Sequence, residues 1–381
     1  MNLHRLVSMA ILVLTFLLTA RMEVVAQTST NGQFQILSLQ PIFDPIAGSN
    51  AYVITWNAAT GRVNNVTYTD SLGAPRQNLV GFFPTYRPAT MTATDYPSAG
   101  ITQRFYQVKA NIRPSVIMSL VLDRSSDMLV YGETEILIPA VTNFISLFNN
   151  MTDYAAQVSF SSAASVDVPM EQPFITNIQN AALALDFGGY SCVDQGLTNA
   201  LAQNNTVTTL PGQNVVKVIV LFTDGLANTF NYVFNCGPRN ISYLDGLFDP
   251  ATGNSASSDC TIPAMLSSID PFTGTIISNA VSSTSCVAMH NEAENRAERI
   301  AYLARSQGNT IFCIGLGNPS APGECNGAFP VLNPTFLEEI ANTADSPTYN
   351  PSQPSGLSVI ATNAAQLNAA VQSLALQVFS Q

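Results

Sequence analysis

The sequence predicts an α/β protein with a doubly wound, mostly parallel sheet, preceded by a small all-β sandwich. Two patterns in the chain of 381 residues support this prediction. Between residues 32 and 110, short alternating runs rich in Thr, Val and Tyr are separated by turn residues, which is typical of antiparallel strands. From residue 111 to 381, apolar strand-like runs alternate with helix-like stretches. That alternation indicates parallel strands connected by helices.

Residues 1–26 have the pattern of a secretory signal peptide. A basic start is followed by an apolar run over residues 6–20 and by small residues just before Gln27. The run is shorter than the roughly 20 residues that span a bilayer. The alternative is an uncleaved N-terminal anchor, because Arg21 and Glu23 lie close to the proposed cleavage point. No later segment is apolar enough to span a membrane, so we expect a secreted or cell-envelope protein (periplasm or cell surface).

The predicted sandwich covers residues 32–110. Its strand-like runs include FQILSLQPI, NAYVITWNA, NNVTYTD and QRFYQVKANI. The stretch YVITWNAATGRVNNVTYTDSLGAPRQNL, followed by ATDYPSAGITQRFYQV, is similar to the fibronectin type III-like modules of exported bacterial proteins. By that resemblance Trp56, the only Trp in the chain, is the core anchor and Tyr106 is its partner in the closing strand.

Composition excludes some partners and favours others. Charged residues make up 10% of the chain, the net charge is −11, and Lys109 and Lys217 are the only lysines, so no basic surface is available for nucleic acid. The six cysteines include no CxxC pair, which favours disulfides over zinc in an oxidising compartment. Cys313, inside an apolar run, is equally compatible with a buried thiol.

A long insertion interrupts the second region at residues 228–288. It is rich in Gly, Pro, Ser and Asn and contains Cys236, Cys260 and Cys286, so we expect at least one disulfide to restrain it. Four Asn-x-Ser/Thr sequons are interpreted as ordinary Asn-rich surface: Asn65, Asn150, Asn204 and Asn240.

The chain offers little for hydrolytic catalysis by a side-chain nucleophile. His4 would be removed with the signal peptide, which leaves His290 as the only histidine. No GxSxG motif is present. His290 lies in a helix-like stretch, where we expect a surface or N-terminal-turn role. The sequence therefore predicts no catalytic residues and no enzyme.

Polar residues stop the apolar run PSVIMSLVL abruptly at Asp-Arg-Ser-Ser-Asp, where a buried parallel strand would end. The motif LVLDRSSDM resembles the Asp-x-Ser-x-Ser motif of von Willebrand factor A (vWA) domains, which have a Rossmann-like fold. GGYSCVDQGL resembles the family's Gly-Gly-Thr loop, and VIVLFTDG resembles the strand that ends in its last metal-binding Asp. The resemblance covers residues 113–379, and the tail is also similar to the A domains of bacterial Tad-type pilus-assembly (TadE/TadG-like) proteins.

The resemblance implies a metal-ion-dependent adhesion site (MIDAS) made of Asp123, Ser125, Asp127, Ser191 and Asp224. Hydroxyl and carboxylate oxygens suit a divalent cation, Mg²⁺ or Ca²⁺, and five ligands leave one position for a carboxylate of a protein partner. Asp127 replaces the family's second Ser and adds a negative charge, which Arg124 could offset. Glu133 and Glu135 are interpreted only as acids that complement the dipole of the next helix.

Three functions therefore compete. The sequence favours a binding or adhesion protein of the envelope that holds a partner through the metal site, with the 228–288 insertion overhanging the ion. The first alternative is a metal-independent structural or pilus-assembly subunit, in which the site is only a vestigial polar strand end. The second is a metal-assisted hydrolase, which lacks an evident general base.

Overall fold

The structure is a computed structural model that describes residues 36–45, 48–58, 62–71, 73–79, 84–85, 89–98, 101, 103–210, 213–230, 232–236, 239–243, 268–269, 276–277, 286–317 and 332–380. The chain divides into two compact units, the first ending at Arg113 and the second beginning at Pro114. Residues 1–26 lie outside the described residues, so the signal peptide stays a prediction.

The first unit consists of two antiparallel sheets. One sheet contains β1 (Ile36–Asp44), β2 (Ser49–Ala58) and β6 (Ala89–Asp95). The other contains β3 (Arg62–Thr69), β4 (Gln77–Asn78), β5 (Pro84–Thr85) and β7 (Phe105–Ile112). The unit is therefore all-β, as predicted, while the specific likeness to fibronectin type III stays a prediction.

Side chains from both sheets form the interior of this unit. Trp56 on β2 is fully buried, as the sequence predicts, and Tyr106 on β7 is also buried. The Tyr106 hydroxyl donates a hydrogen bond to Asp95 on β6 at 2.6 Å. Arg104 donates to Asp95 at 2.8 Å and to Asp70 at 2.6 Å. This network, buried at Arg104 and Asp95 and partly exposed at Asp70, connects the end of one sheet to the other with its charges paired.

The second unit is built on a six-stranded sheet. Its strands are β8 (Ser115–Asp123), β9 (Tyr154–Phe160), β10 (Ala164–Glu171), β11 (Val215–Thr223), β16 (Asn309–Leu316) and β17 (Ser358–Ala361). The order across the sheet is β10-β9-β8-β11-β16-β17, and only the edge strand β10 is antiparallel to its neighbour. This is the doubly wound 3-2-1-4-5-6 order of Rossmann-like sheets, and it confirms the predicted fold class.

Helices cover both faces of this sheet. They are α1 (Ser126–Val130), α2 (Thr134–Ile145), α3 (Ile175–Leu183), α4 (Val193–Asn204), α5 (Cys286–Ser306), α6 (Pro334–Ala341) and α7 (Ala364–Ser380). The described parts of the insertion form two short antiparallel pairs: β12 (Tyr232–Cys236) with β13 (Arg239–Tyr243), and β14 (Ser268–Ile269) with β15 (Ile276–Ile277).

Two apolar layers hold the helices to the sheet. On one face, α4, α5 and α6 contribute Leu197, Ala297 and Leu337 to a cluster that also contains Ile219 and Ile311. Elsewhere in the unit, an aromatic group connects α2, α7 and β11: Phe144 contacts Phe148 and Phe222, and Phe148 contacts Phe379. β8 and β16 are consequently buried along almost their whole length.

One interpretation of a single residue is wrong, and another is wrong in one of its two alternatives. Asn204 is fully buried at the end of α4, where its side-chain amide donates to the Val218 carbonyl at 2.9 Å and to Asn309 Oδ1 at 2.8 Å, so it is not surface. His290 has only 3% of its surface exposed within α5, which excludes a surface role. Both lie on helices whose buried face is set by tertiary packing.

The structure tests part of the predictions about disulfides, buried thiols and membrane-spanning segments. Cys192 and Cys313 are buried thiols, and the Cys192 sulfur donates to Asp194 Oδ1 at 3.1 Å. Cys260, Cys325 and the side chains of Cys236 and Cys286 lie outside what the structure describes, so a disulfide in the insertion stays a prediction. Within the described ranges, no helix has both the length and the apolar character to cross a membrane.

Candidate metal site

The candidate site lies where the strand order reverses. β8 has β9 on one side and β11 on the other, and Leu122 of β8 pairs with Phe222 of β11. The carboxyl ends of these two strands therefore lie side by side, with Asp123 at the end of one and Thr223-Asp224 at the end of the other. Ligands of open α/β sheets bind at such a switch point.

Asp123 brings three chain segments together. It is fully buried. Its Oδ1 accepts a hydrogen bond from the Ser125 backbone N–H at 2.9 Å, and its Oδ2 accepts from the hydroxyls of Thr223 at 2.6 Å and Ser191 at 3.1 Å. Strand β8, strand β11 and the loop before α4 thus converge on one carboxylate.

Backbone contacts fix the loops around that carboxylate. The Ser191 N–H donates to Asn228 Oδ1 at 2.7 Å, and the Asn228 N–H donates back to the Ser191 carbonyl at 3.2 Å. The Ser126 N–H and hydroxyl both donate to the Gly189 carbonyl, at 3.0 and 2.8 Å. Gly189 has φ +83°, and a Cβ there would lie 2.6 Å from Ser162 Oγ, so only glycine fits without displacement.

Two buried oxygens at the strand ends lack a partner. Ser125 Oγ and Asp224 Oδ2 are buried and make no hydrogen bond, while Asp224 Oδ1 accepts one from the Leu226 N–H at 3.2 Å. Buried polar atoms are nearly always paired, so unpaired ones call for an explanation such as a missing ion or water. Hard oxygens of this kind suit Mg²⁺ or Ca²⁺.

A cation here would depend on hydroxyl oxygens as well as carboxylates. Across the described residues, no three His, Cys, Asp or Glu side chains form a group that could hold a metal by themselves. The hydroxyls of Ser125 and Ser191 supply the additional oxygens next to Asp123 and Asp224. The donor chemistry therefore fits the predicted type of site.

The site is electrostatically strained without a cation. Burial raises the pKa of Asp123, and its hydrogen bonds with Thr223, Ser125 and Ser191 only partly oppose the shift. Burial and the charge of Asp123 raise the pKa of Asp224 well above its usual range, and Asp127 adds to this shift. Asp127 is half-buried on α1, close enough for its charge to act on Asp224. Two carboxylates that cannot both ionise readily are ready to exchange protons for a metal.

The two described hydrogen bonds of Arg124 go to neutral acceptors rather than to the carboxylate of Asp127. Its guanidinium donates to Ser159 Oγ and to the Asp186 carbonyl, each at 3.3 Å. It therefore fastens β8 to β9 and to the loop before α4.

Sequence reasoning missed two side chains at the site. Thr223 makes the shortest described hydrogen bond to Asp123, and its place directly before Asp224 was the available signal. Glu133 was interpreted only as an acid that complements the helix dipole, yet it is buried, with only 5% of its surface exposed. Burial, followed by the charges of Asp123 and Asp127, raises its pKa to about 8. Nothing in the local sequence shows that this Glu faces inward.

Fold and site together define an α/β domain of the doubly wound type with a cluster of buried oxygens at its switch point. Among solved structures, the vWA-type domain of the type V pilus tip protein Mfa5 from Porphyromonas gingivalis is 17% identical, covering 70% of this chain and 96% of its own, with a TM-score of 0.44. The pilus adhesin SpaC from Lactobacillus rhamnosus GG is 14% identical, covering 93% of this chain and 36% of its own, with a TM-score of 0.45.

A von Willebrand factor type A protein from Catenulispora acidiphila is 12% identical, covering 92% of this chain and 52% of its own, with a TM-score of 0.39. No protein-family model matches the sequence, and no curated protein matches it. The similarity to the Tad-type A domains stays a prediction. The fold class itself follows from the strand order and directions.

Proposed function

We propose that the protein is an exported or envelope-associated adhesion protein that holds a protein partner through a divalent cation at the top of its parallel sheet. Asp123, Ser125, Asp127, Ser191 and Asp224 would hold Mg²⁺ or Ca²⁺. The observation that carries the proposal is the pair of buried, unpaired oxygens, Ser125 Oγ and Asp224 Oδ2, at the switch point. When bound, the cation supplies a Lewis-acid contact for a carboxylate of the partner.

The chain's own residues would prepare this contact in separate ways. Asp123 accepts from Ser191 and Thr223 and so fixes the direction of both hydroxyls. Asp224 and Asp127 supply negative charge. Asn228 holds the Ser191 loop against the segment that follows β11. The site is therefore preorganised by hydrogen bonds made outside the cation itself, as metal sites commonly are.

An exposed apolar surface next to the site suits a protein partner. Leu129, Val130 and Tyr131 begin two residues after the site residue Asp127, and 58%, 72% and 47% of their surfaces are exposed. Met128, between them and Asp127, is fully buried and anchors the segment. Consecutive exposed apolar residues are unusual without a function, and large apolar side chains are common in protein interfaces.

The proposal is tested by binding the full chain to an array of peptides with a central Asp or Glu flanked by apolar residues, beside matched Asn and Gln peptides. We expect binding of the acidic peptides in Ca²⁺ or Mg²⁺, loss of binding in chelator, and loss in Asp224→Asn. Asp127→Ser should keep cation binding and strengthen peptide capture, because it removes one negative charge from the occupied site.

Asp345→Asn is the matched control, since Asp345 is an exposed aspartate after α6. It should bind the peptides as the wild type does. Binding that persists in chelator and in Asp224→Asn would instead support the metal-independent structural subunit.

A further inference from the structure

Glu133 lies between two helices at the edge of the candidate site. It precedes α2, and its backbone N–H donates to the Met128 carbonyl of α1 at 3.0 Å. Its carboxyl group is buried, and Oε2 makes no hydrogen bond. Glu135, two residues later in the first turn of the same helix, is exposed. The two acids therefore differ in environment although their positions in the helix are similar.

Helix capping does not account for the burial of Glu133. It occupies the N-cap position of α2, but its side chain makes no capping hydrogen bond. An acid that served only the helix dipole could remain in solvent, as Glu135 does. A buried carboxylate oxygen without a partner is costly unless something else compensates it.

Two observations direct Glu133 towards the metal site. The charges of Asp123 and Asp127 act on Glu133, and the charge of Glu133 acts in turn on Asp224. Oε1 packs against Gly317, where a Cβ would collide with it, and Gly317 lies two residues after Gly315, which pairs with Thr223 at the end of β11. Gly317 has φ +112° and so occupies a backbone region that favours glycine. The carboxyl group thus lies against the end of β16, at the same edge of the sheet as Thr223 and Asp224.

We propose that Glu133 is a further carboxylate of the cation site, acting on the ion through a bound water, and that it biases the site towards Ca²⁺. This inference rests on the proposed cation site. With Glu133 added to the five predicted residues, the protein offers six groups before a partner arrives. Mg²⁺ is limited to six ligands in a strict octahedron, whereas Ca²⁺ takes six to eight oxygens, so Ca²⁺ can still accept a partner.

Calorimetric titration of the full chain with Ca²⁺ and with Mg²⁺ tests the inference. Glu133→Gln keeps the shape of the side chain and removes its charge. We expect this variant to lose about 10- to 100-fold in Ca²⁺ affinity, the usual effect of removing a group that supports a metal site. Its affinity for Mg²⁺ should fall by a smaller factor, so that the ratio of Ca²⁺ affinity to Mg²⁺ affinity decreases. Glu133→Asp, which keeps the charge, should recover part of the Ca²⁺ affinity.

Glu135→Gln is the matched control and should titrate as the wild type does. Circular dichroism and a melting curve establish that each variant is folded. If Glu133→Gln binds both ions as the wild type does while Asp224→Asn binds neither, the role of Glu133 is overturned and the cation site stands. If the wild type binds no ion, the proposed function fails and the inference fails with it.

Discussion

At the scale of single residues, Asp123 and Asp224 are two buried carboxylates of one site that differ in their hydrogen bonding. Asp123 accepts hydrogen bonds from Ser125, Ser191 and Thr223. For Asp224 the described bond is one from the Leu226 N–H, and its Oδ2 has no partner. Hydrogen bonds stabilise the charged form, so Asp123 is the better supported anion and Asp224 is the group with more to gain from a cation.

The pH dependence of the cation-free protein should reveal the buried acids. The pKa of Glu133 rises from 4.5 to about 8 on folding, so the folded protein keeps a proton that the unfolded chain releases. Glu133 should therefore lower the free energy of unfolding as pH rises from 4.5 to about 8, and its contribution should level off above that. Glu133→Gln cannot titrate, so its melting temperature should fall less over this range.

Scanning calorimetry in chelator at a series of pH values measures this difference. Glu298, whose pKa burial and Glu339 raise to about 9, affects wild type and variant alike and cancels in the comparison. Parallel pH profiles for the two proteins would contradict the buried, charge-coupled environment of Glu133.

Residues at strand ends could be predicted from sequence, but inward-facing residues on helices could not. Asp123, Ser191 and Asp224 each follow a recognisable strand or loop pattern, and the parallel sheet then places them together. Glu133 and Asn204 lie in polar stretches that are equally compatible with solvent. Their burial is decided by which face of a helix packs on the sheet, and that depends on the whole fold.

At the scale of elements, the approach of α4 to the sheet determines where the Ser191 loop lies. Gly196 makes this approach possible, because a Cβ there would lie 2.8 Å from Phe160 Cδ1 and 3.0 Å from Val121 Cγ1. Phe160 and Val121 are fully buried and have little space to move. α4 can therefore pack closely only while residue 196 has no side chain.

Gly196→Ala should destabilise the protein although alanine is the better helix former. Overpacking costs about 1–3 kcal/mol, whereas the gain in helix propensity is about 1 kcal/mol. Denaturant unfolding measures the net effect. Thr198→Ala, an exposed substitution on the same helix, is the control and should change stability by less than about 0.5 kcal/mol. Equal stability of Gly196→Ala and the wild type would contradict the close packing of α4.

The edge strand β10 was harder to predict than the central strands. β8, β11 and β16 are continuous apolar runs that the sequence indicates directly. β10 was not predicted as a strand, because its sequence ASVDVPME is polar, mostly outward-facing and interrupted by Pro169. Proline is confined to edges of sheets, and β10 is the edge strand next to β9. The same features that conceal this strand in the sequence protect the edge from further pairing.

At the scale of the whole molecule, two units with separate cores follow one another in the chain. Their order and class were predictable, because strand alternation in the first and strand–helix alternation in the second extend over many residues. The net charge of −11 adds to the repulsion among the site acids when no cation is bound. A divalent cation should therefore stabilise the folded chain as well as prepare it for a partner.

The proposed function requires that the strand ends of β8 and β11, with the Ser191 loop, bind a divalent cation. Equilibrium dialysis of the full chain against Ca²⁺ or Mg²⁺, followed by elemental mass spectrometry, tests it most directly. We expect one ion to be retained per wild-type chain, with a raised melting temperature, and neither effect in Asp224→Asn. An equal ion content in wild type and Asp224→Asn, whether none or one, would contradict it.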